Sequence, residues 1–319
     1  MSGGGPTTRP FRFGLGPAGL GGLASADAWR DTAREAEDLG YSTLCFGEHL
    51  DDRPAPGHLA LAVALWTTSL RTAVHVFCND FRHPAILAKE AATLAMLTGG
   101  RVEVGLGAGW MRADYDRLGV PFDRPGARIE RLGEAVELIR AGFDTGAARS
   151  DGPAYRVDGL PVAATLGAVS PPPIVMGGGG PKMLALAARH ADVISVNVRL
   201  DRGVLDDRRG RSGTRDATEE KVRIIREAAG ERFDDLELQV EIHHVEITED
   251  RAGALRRAAG ELGVSEAEAA TSPHVLVGPP TAVAERLEQR REDHGLSYVC
   301  MRADARRAFA PVVALLAGR

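Results

Sequence analysis

Short apolar runs alternate with longer amphipathic ones along almost the whole chain. Eight runs have the length and the β-branched or aromatic character of buried strands: residues 11–15, 42–46, 72–77, 101–106, 173–176, 193–196, 236–242 and 297–301. Short continuous apolar runs bounded by turn signals read as strands covered on both faces. Helical periods lie between them, at 27–39, 85–97, 128–142 and 282–294. In the first, Ala33, Ala36 and Leu39 share a stripe and Gly40 stops the helix. Strands and helices in strict alternation predict an α/β fold with a parallel sheet. Eight such units suit a closed (β/α)8 TIM barrel, which takes about 250 residues plus insertions. A doubly wound open sheet is the alternative. It calls for GxGxxG after the first strand and a domain break. The Gly-rich run 14–22 has the wrong spacing, and no break is visible.

The expected organisation is a disordered Gly/Ser/Thr/Pro-rich arm at 1–10 and one barrel domain over 11–319. Two stretches read as insertions at the C-terminal face. Residues 145–172 carry the turn signals Asp151-Gly152-Pro153 and Asp158-Gly159, and predict a hairpin excursion. Residues 199–216 are densely charged, with Gly203, Gly210 and Gly213, and predict a mobile loop, either a lid or a solvated connector.

A net charge of −5 gives no electrostatic footprint for nucleic acid and no polybasic membrane anchor. No apolar run reaches the length of a membrane span. Cys45, Cys78 and Cys300 are odd in number and lack CxxC spacing. That usage predicts buried thiols in a reducing cytoplasm, with a catalytic cysteine as the sharper alternative.

In a barrel, reactive groups follow the strands. After the second strand come Glu48 and His49, which read either as a histidine moved across neutrality by the carboxylate beside it, Glu48 orienting the imidazole or a cofactor, or as a surface His in a polar loop. After the fourth come Gly107, Ala108, Gly109 and Trp110, which read either as bare backbone beneath a planar ring or as a tight turn with a packed Trp. After the fifth come Gly177, Gly178, Gly179 and Gly180, then Pro181 and Lys182 at a helix start. That is the pattern of a phosphate cradle, with a structural turn as the alternative. In the seventh strand Leu236, Leu238, Val240 and Ile242 alternate with Glu237, Gln239, Glu241 and His243. If the apolar set faces the helices, the polar set faces the lumen, which makes Glu241 and His243 further candidates. Phe77, Phe81, Phe122 and Trp110 are pocket wall or core. There is no HExxH, Cys/His cluster or GxSxG, so metal and nucleophilic hydrolysis are disfavoured.

One long stretch is more specific than these motifs taken singly: Phe81-Arg82-His83-Pro84-Ala85-Ile86-Leu87-Ala88-Lys89-Glu90, continuing through Thr98-Gly99-Gly100-Arg101 to Trp110. Pro173-Ile174-Val175-Met176 before the four glycines, and Gly278-Pro279-Pro280, add to it. Together they resemble the luciferase-like monooxygenase superfamily, and within it the actinobacterial oxidoreductases that use the deazaflavin coenzyme F420. The resemblance implies a ring lying in the barrel mouth, with Glu48 and His49 near its reactive carbon. It places a non-prolyl cis peptide at Ala73–Val74, with Val76 beside it, backing the ring. It assigns Gly107 to Trp110 to the ring, Gly177 to Gly180 to the phosphate-bearing tail and Asn197 to a polar tail contact. Trp110 stands where the sugar-phosphate branch has a catalytic glutamate, so that branch's acid role does not carry over. The expected activity is hydride transfer between F420 and a small organic substrate by a homodimer. An FMN-dependent monooxygenase and a non-catalytic flavin-binding protein are the alternatives.

Overall fold

The computed structural model describes residues 9–20, 22–200 and 208–319. Among the described residues twelve strands occur in chain order: β1 Arg12–Gly16, β2 Thr43–Phe46, β3 Arg71–Cys78, β4 Val102–Gly107, β5 Ala147–Asp151, β6 Arg156–Pro161, β7 Ile174–Gly178, β8 Val193–Val196, β9 Glu237–Ile242, β10 His244–Ile247, β11 Val275–Gly278 and β12 Leu296–Arg302. Eight of them close a parallel barrel in the order β1-β12-β9-β8-β7-β4-β3-β2. These are the eight strands expected from sequence, with ends shifted by a residue or two.

Eight helices ring the barrel: Ala26–Asp38, Pro56–Trp66, Pro84–Thr98, Pro125–Thr145, Pro181–His190, Arg215–Ala229, Pro280–His294 and Arg306–Leu316. Several open on proline, whose fixed φ and missing N–H suit a first turn. Gly99 closes the third at φ +61°, a left-handed conformation that favours glycine. Among the described residues no helix is long and apolar enough to cross a membrane.

Alternation along the strands sorts the side chains. Val74, Leu238, Val240, Ile242 and Met301 pack outward in the main core under the helices. The inward set is largely polar and stacks in layers. At the floor, Arg12 bridges Glu103 at 2.5 Å and Glu237 at 2.7 Å, while Arg71 reaches Glu103 at 3.1 Å. Glu103 is 1% exposed, so these cations are what make its charge tolerable. Above them Tyr298 lies across the lumen. Its ring meets the Arg12 guanidinium at 3.6 Å and packs on Val175 and Val193. Gly14 makes room for it, since a Cβ there would lie 3.0 Å from the ring. Cys45, Ala73 and Cys300 form the next layer.

The 145–172 insertion is a hairpin of antiparallel β5 and β6. It enters between the helix Pro125–Thr145 and β7, so it is an αβ connection rather than a mouth loop. Its tip climbs back to the mouth, where Tyr155 Oη accepts a hydrogen bond from Asn79 Nδ2 at 2.8 Å. A second excursion follows β9: β10 and β11 pair in parallel and enclose the helices Arg251–Leu262 and Glu266–Thr271. Within 199–216, residues 201–207 lie outside the described residues. The remainder is more regular than a loop, with a short helix Arg208–Ser212 and a second helix starting at Arg215. Of the expected N-terminal arm, 1–8 lie outside the described residues. Arg9 donates to the Asp235 carbonyl at 2.6 Å.

Candidate functional site

Strand ends β2, β3, β4, β7 and β8 bring the sequence candidates to one end of the barrel. Glu48 and His49 leave β2 in opposite directions, as consecutive residues of extended chain must. Glu48 turns toward β3. Its Oε2 accepts from Cys78 N at 2.8 Å and from Arg82 at 3.2 Å, and its Oε1 pairs with Arg82. Arg82 lies 4.5 Å over the Phe77 ring. Glu48 therefore fixes the end of β3 rather than orienting the imidazole.

His49 turns toward β4. Its Nδ1 lies 2.7 Å from Asp114 Oδ2, and its ring stands edge-on to Trp110 with centroids 5.7 Å apart. Asp114 is 2% exposed and sits in the first turn of the helix Arg112–Leu118. Its other oxygen accepts from Leu50 N at 3.1 Å. A carboxylate can only accept, so Nδ1 bears a proton, and in the neutral imidazole Nε2 keeps its lone pair. Among the described residues Nε2 has no hydrogen-bond partner, and it is available to a bound molecule.

The cis peptide joins His75 and Val76, not Ala73 and Val74. Ala73 and Val74 are fully buried a layer below the mouth, Ala73 in the lumen and Val74 under the helices. The register of β3 against β4 shifts between Val74 and Phe77, so the bulge falls where β3 reaches the mouth. Val76 is partly exposed there. The β4 glycines serve this bulge. A Cβ at Gly105 would lie 2.1 Å from the Val74 carbonyl oxygen, and one at Gly107 would lie 2.4 Å from Val76 Cγ2. Gly109, at φ +75°, clears the Tyr115 hydroxyl. The missing side chains at these glycines therefore admit neighbouring protein atoms.

Tyr115 is also the centre of an aromatic cluster in which the half-buried Phe81 and Phe122 stand edge-on to its ring. Its hydroxyl donates to Asp80 at 2.9 Å, and Arg131 holds Asp80 through both carboxylate oxygens. Cys78 lies beside this cluster. Burial pushes its thiol up to about 11, which keeps it protonated near neutrality and argues against a nucleophile. All three cysteines are free and buried, as the sequence predicts.

At β7, Gly177 and Gly179 are required by contact with the β8 end. Added Cβ atoms would meet Ser195 and the Val198 carbonyl carbon, each at 2.5 Å. Gly180 has open space beside it and caps the helix Pro181–His190, whose first amides face outward. Asn197, after β8, donates to Glu241 Oε2 at 3.0 Å and lies 3.3 Å from His243 Nε2. These three form one polar group on the β8–β9 side of the mouth. Below it, His75 Nε2 and both amide atoms of the fully buried Gln239 have no hydrogen-bond partner among the described residues. Burial lowers the His75 pKa, opposed by the charges of Glu103 and Glu241. No group of three or more potential metal ligands occurs among the described residues. Asp114, Arg82 and His75 carry no local sequence signal. Asp114 is 65 residues from the histidine it holds.

Comparison with known proteins gives the chain its relatives. The luciferase-like monooxygenase family model matches residues 10–297. A 5,10-methylenetetrahydromethanopterin reductase of Archaeoglobus fulgidus is 31% identical over 162 residues, 51% of this chain and 46% of that protein. An F420-dependent hydroxymycolic acid dehydrogenase of Mycobacterium tuberculosis is 33% identical over 195 residues, 59% of this chain and 53% of that one. The chain thus spans about half the length of the curated relatives it matches. The EDTA monooxygenase of Chelativorans sp. BNC1 has the same fold, with a TM-score of 0.74 at 15% identity over 96% of this chain and 94% of that one. With most of its length matched by the family model and its eight strands closed into the corresponding barrel, the chain belongs to the luciferase-like monooxygenase family.

Proposed function

We propose that this protein is an oxidoreductase that uses the deazaflavin coenzyme F420 to exchange a hydride with a small organic substrate. The observation that carries the reading is the His49–Asp114 pair, with Nε2 left available beside Trp110. The mouth fits a ring with a phosphate-bearing tail. Val76 offers an apolar side chain at its floor, His75 Nε2 and Gln239 present unmatched polar atoms below, and the helix after Gly180 presents free amides at its start. The F420 dependence of the mycobacterial relative supports the cofactor choice.

The bound deazaflavin would supply a centre that accepts or donates a hydride. The chain supplies the rest. Gly180 and Lys182 would hold the phosphate, Trp110 and Val76 would line the place of the ring, and Glu48 with Arg82 keeps the end of β3 in place. Asp114 fixes the imidazole so that Nε2 takes or returns the substrate's proton as the hydride moves. Equilibrium titration with F420 and with FMN, followed by absorbance, tests the reading. Tight FMN binding without F420 binding overturns it in favour of a monooxygenase. His49→Ala should cut turnover by about 10²–10⁴ with cofactor binding retained. Normal turnover removes His49 from the chemistry.

The same reading includes a homodimer. The helix Pro56–Trp66 carries no charged residue and leaves Leu65 65% exposed, while the neighbouring helix Pro84–Thr98 leaves Ile86 and Leu97 about half exposed. These exposed apolar side chains, with Lys89 and Glu90 beside Ile86, suit a second copy of the same surface. Leu65→Asp with Ile86→Asp should convert a dimer to a monomer in light scattering. An unchanged mass refutes that interface.

A further inference from the structure

Beside the mouth, the segments after β1 and β2 enclose a cavity of about 260 Å³. Its wall is apolar: Leu20, Leu23, Trp29, Phe46 and Leu59. Trp29 Nε1 donates to the Leu23 carbonyl at 3.0 Å, so the indole has no donor left for a ligand. The rim is charged and comes from the loop that carries His49. Arg53 is held by Asp51 through Nε at 3.0 Å and Nη2 at 2.8 Å, which neutralises both. Asp52 is left as the net charge of the rim, and it repels anions. Partial burial opposes ionisation of Asp51, but its hydrogen bonds with Arg53 hold its pKa below the usual carboxylate range. Asp51, Asp52 and Arg53 follow His49 in the same loop between β2 and the helix Pro56–Trp66, so rim and imidazole share one segment.

We propose that this cavity receives the apolar arm of an uncharged substrate, with the reacting carbon left at the mouth. At roughly 30 Å³ per water-sized group, it has room for about nine heavy atoms. Calling the occupant a substrate rests on the redox function proposed for the mouth; the cavity's preference for uncharged chains does not.

Calorimetric titration of the full chain without cofactor tests this, using hexan-1-ol, octan-1-ol and octanoate at pH 8. Octan-1-ol should bind about 15-fold tighter than hexan-1-ol, from roughly fourfold per methylene, and at least tenfold tighter than octanoate. Leu59→Trp should fill the cavity and lower octan-1-ol affinity at least tenfold, with F420 affinity unchanged. Asp52→Lys, an exposed change that spares the core, should erase the discrimination against octanoate. Octanoate binding as tightly as octan-1-ol to the wild type overturns the proposal. So does octan-1-ol affinity that survives in folded Leu59→Trp, or discrimination that survives in Asp52→Lys. Loss of F420 binding with alcohol selectivity intact strikes the redox reading alone.

Discussion

Replacing Asp114 with asparagine exchanges one oxygen for an NH₂ group and removes one charge, with shape preserved. The neighbours of the new side chain decide how it sits. Leu50 N–H needs an acceptor at 3.1 Å, so the single amide oxygen goes there. The NH₂ group then faces His49 Nδ1, where Asp114 Oδ2 stood at 2.7 Å. A donor at that place forces the imidazole to carry its proton on Nε2, and the lone pair offered to the mouth disappears. A hydrogen bond to a charged partner contributes about 1.5–3 kcal/mol and a neutral one about 0.5–1.5 kcal/mol, so the stability loss should be about 1–2 kcal/mol. Turnover should fall much further, by about 10²–10⁴, because the proton acceptor is gone. Nitrogen-15 spectra of histidine-labelled protein report the tautomer directly, with His49→Gln assigning the resonance. Turnover with F420 reports the chemistry. A resonance that keeps the Nδ1–H pattern refutes the hydrogen-bond reasoning. An inverted tautomer with full turnover shows that His49 moves no proton.

Three other perturbations test the frame around the site. Arg12→Met leaves the buried Glu103 only Arg71 at 3.1 Å, and should cost about 3–5 kcal/mol in urea unfolding, much of it recovered by adding Glu103→Gln. Equal stability of Arg12→Met and wild type would show that the floor network is not under charge stress. Glu37 accepts from Thr68 N, Ser69 N and Oγ, and Leu70 N, and although burial opposes it these donors push its pKa down to about 2. The folded value lies below the unfolded one, so its contribution is full above about pH 4.3 and fades as pH falls toward 2. The Tm gap between wild type and Glu37→Gln should close across that window, and a constant gap contradicts the assignment. Gly177→Ala drives a Cβ to 2.5 Å from Ser195 Cβ and should cost about 1–3 kcal/mol in cofactor-free thermal unfolding. Gly180→Ala, with nothing within 4 Å, should change it by less than about 1 kcal/mol, and equal losses would refute the distinction.

The barrel is legible in the sequence because its period is built into single positions. On β9, Leu238 and Val240 face the helices while Glu237 and Gln239 face the lumen, as alternation alone requires. The hairpin is legible through its Asp-Gly turns, but not its path. Nothing near Tyr155 announces a hydrogen bond to Asn79, 76 residues away. The site is half legible for the same reason. Glu48 and His49 stand out as polar residues just past a strand, yet adjacency in sequence misassigns the pair. Extended chain sends neighbours to opposite sides, and the carboxylate that meets His49 comes from a helix beyond β4. The cis peptide falls two residues later than the resemblance places it, because the β3 bulge is set by where β4 offers glycines, which is a tertiary fact.

Tyr298 has a kinetic consequence. With its ring across the lumen and the Arg12–Glu103 pair beneath it, the lumen is filled from below, which leaves the C-terminal mouth to ligands. Two molecules that must meet there share one corridor. Under the proposed function, whichever lies on the β3–β4 floor is the first to arrive and the last to leave. The outer one then exchanges many times against a resident partner. Under the proposed function the productive complex would form in that order, while the side cavity fills independently of it.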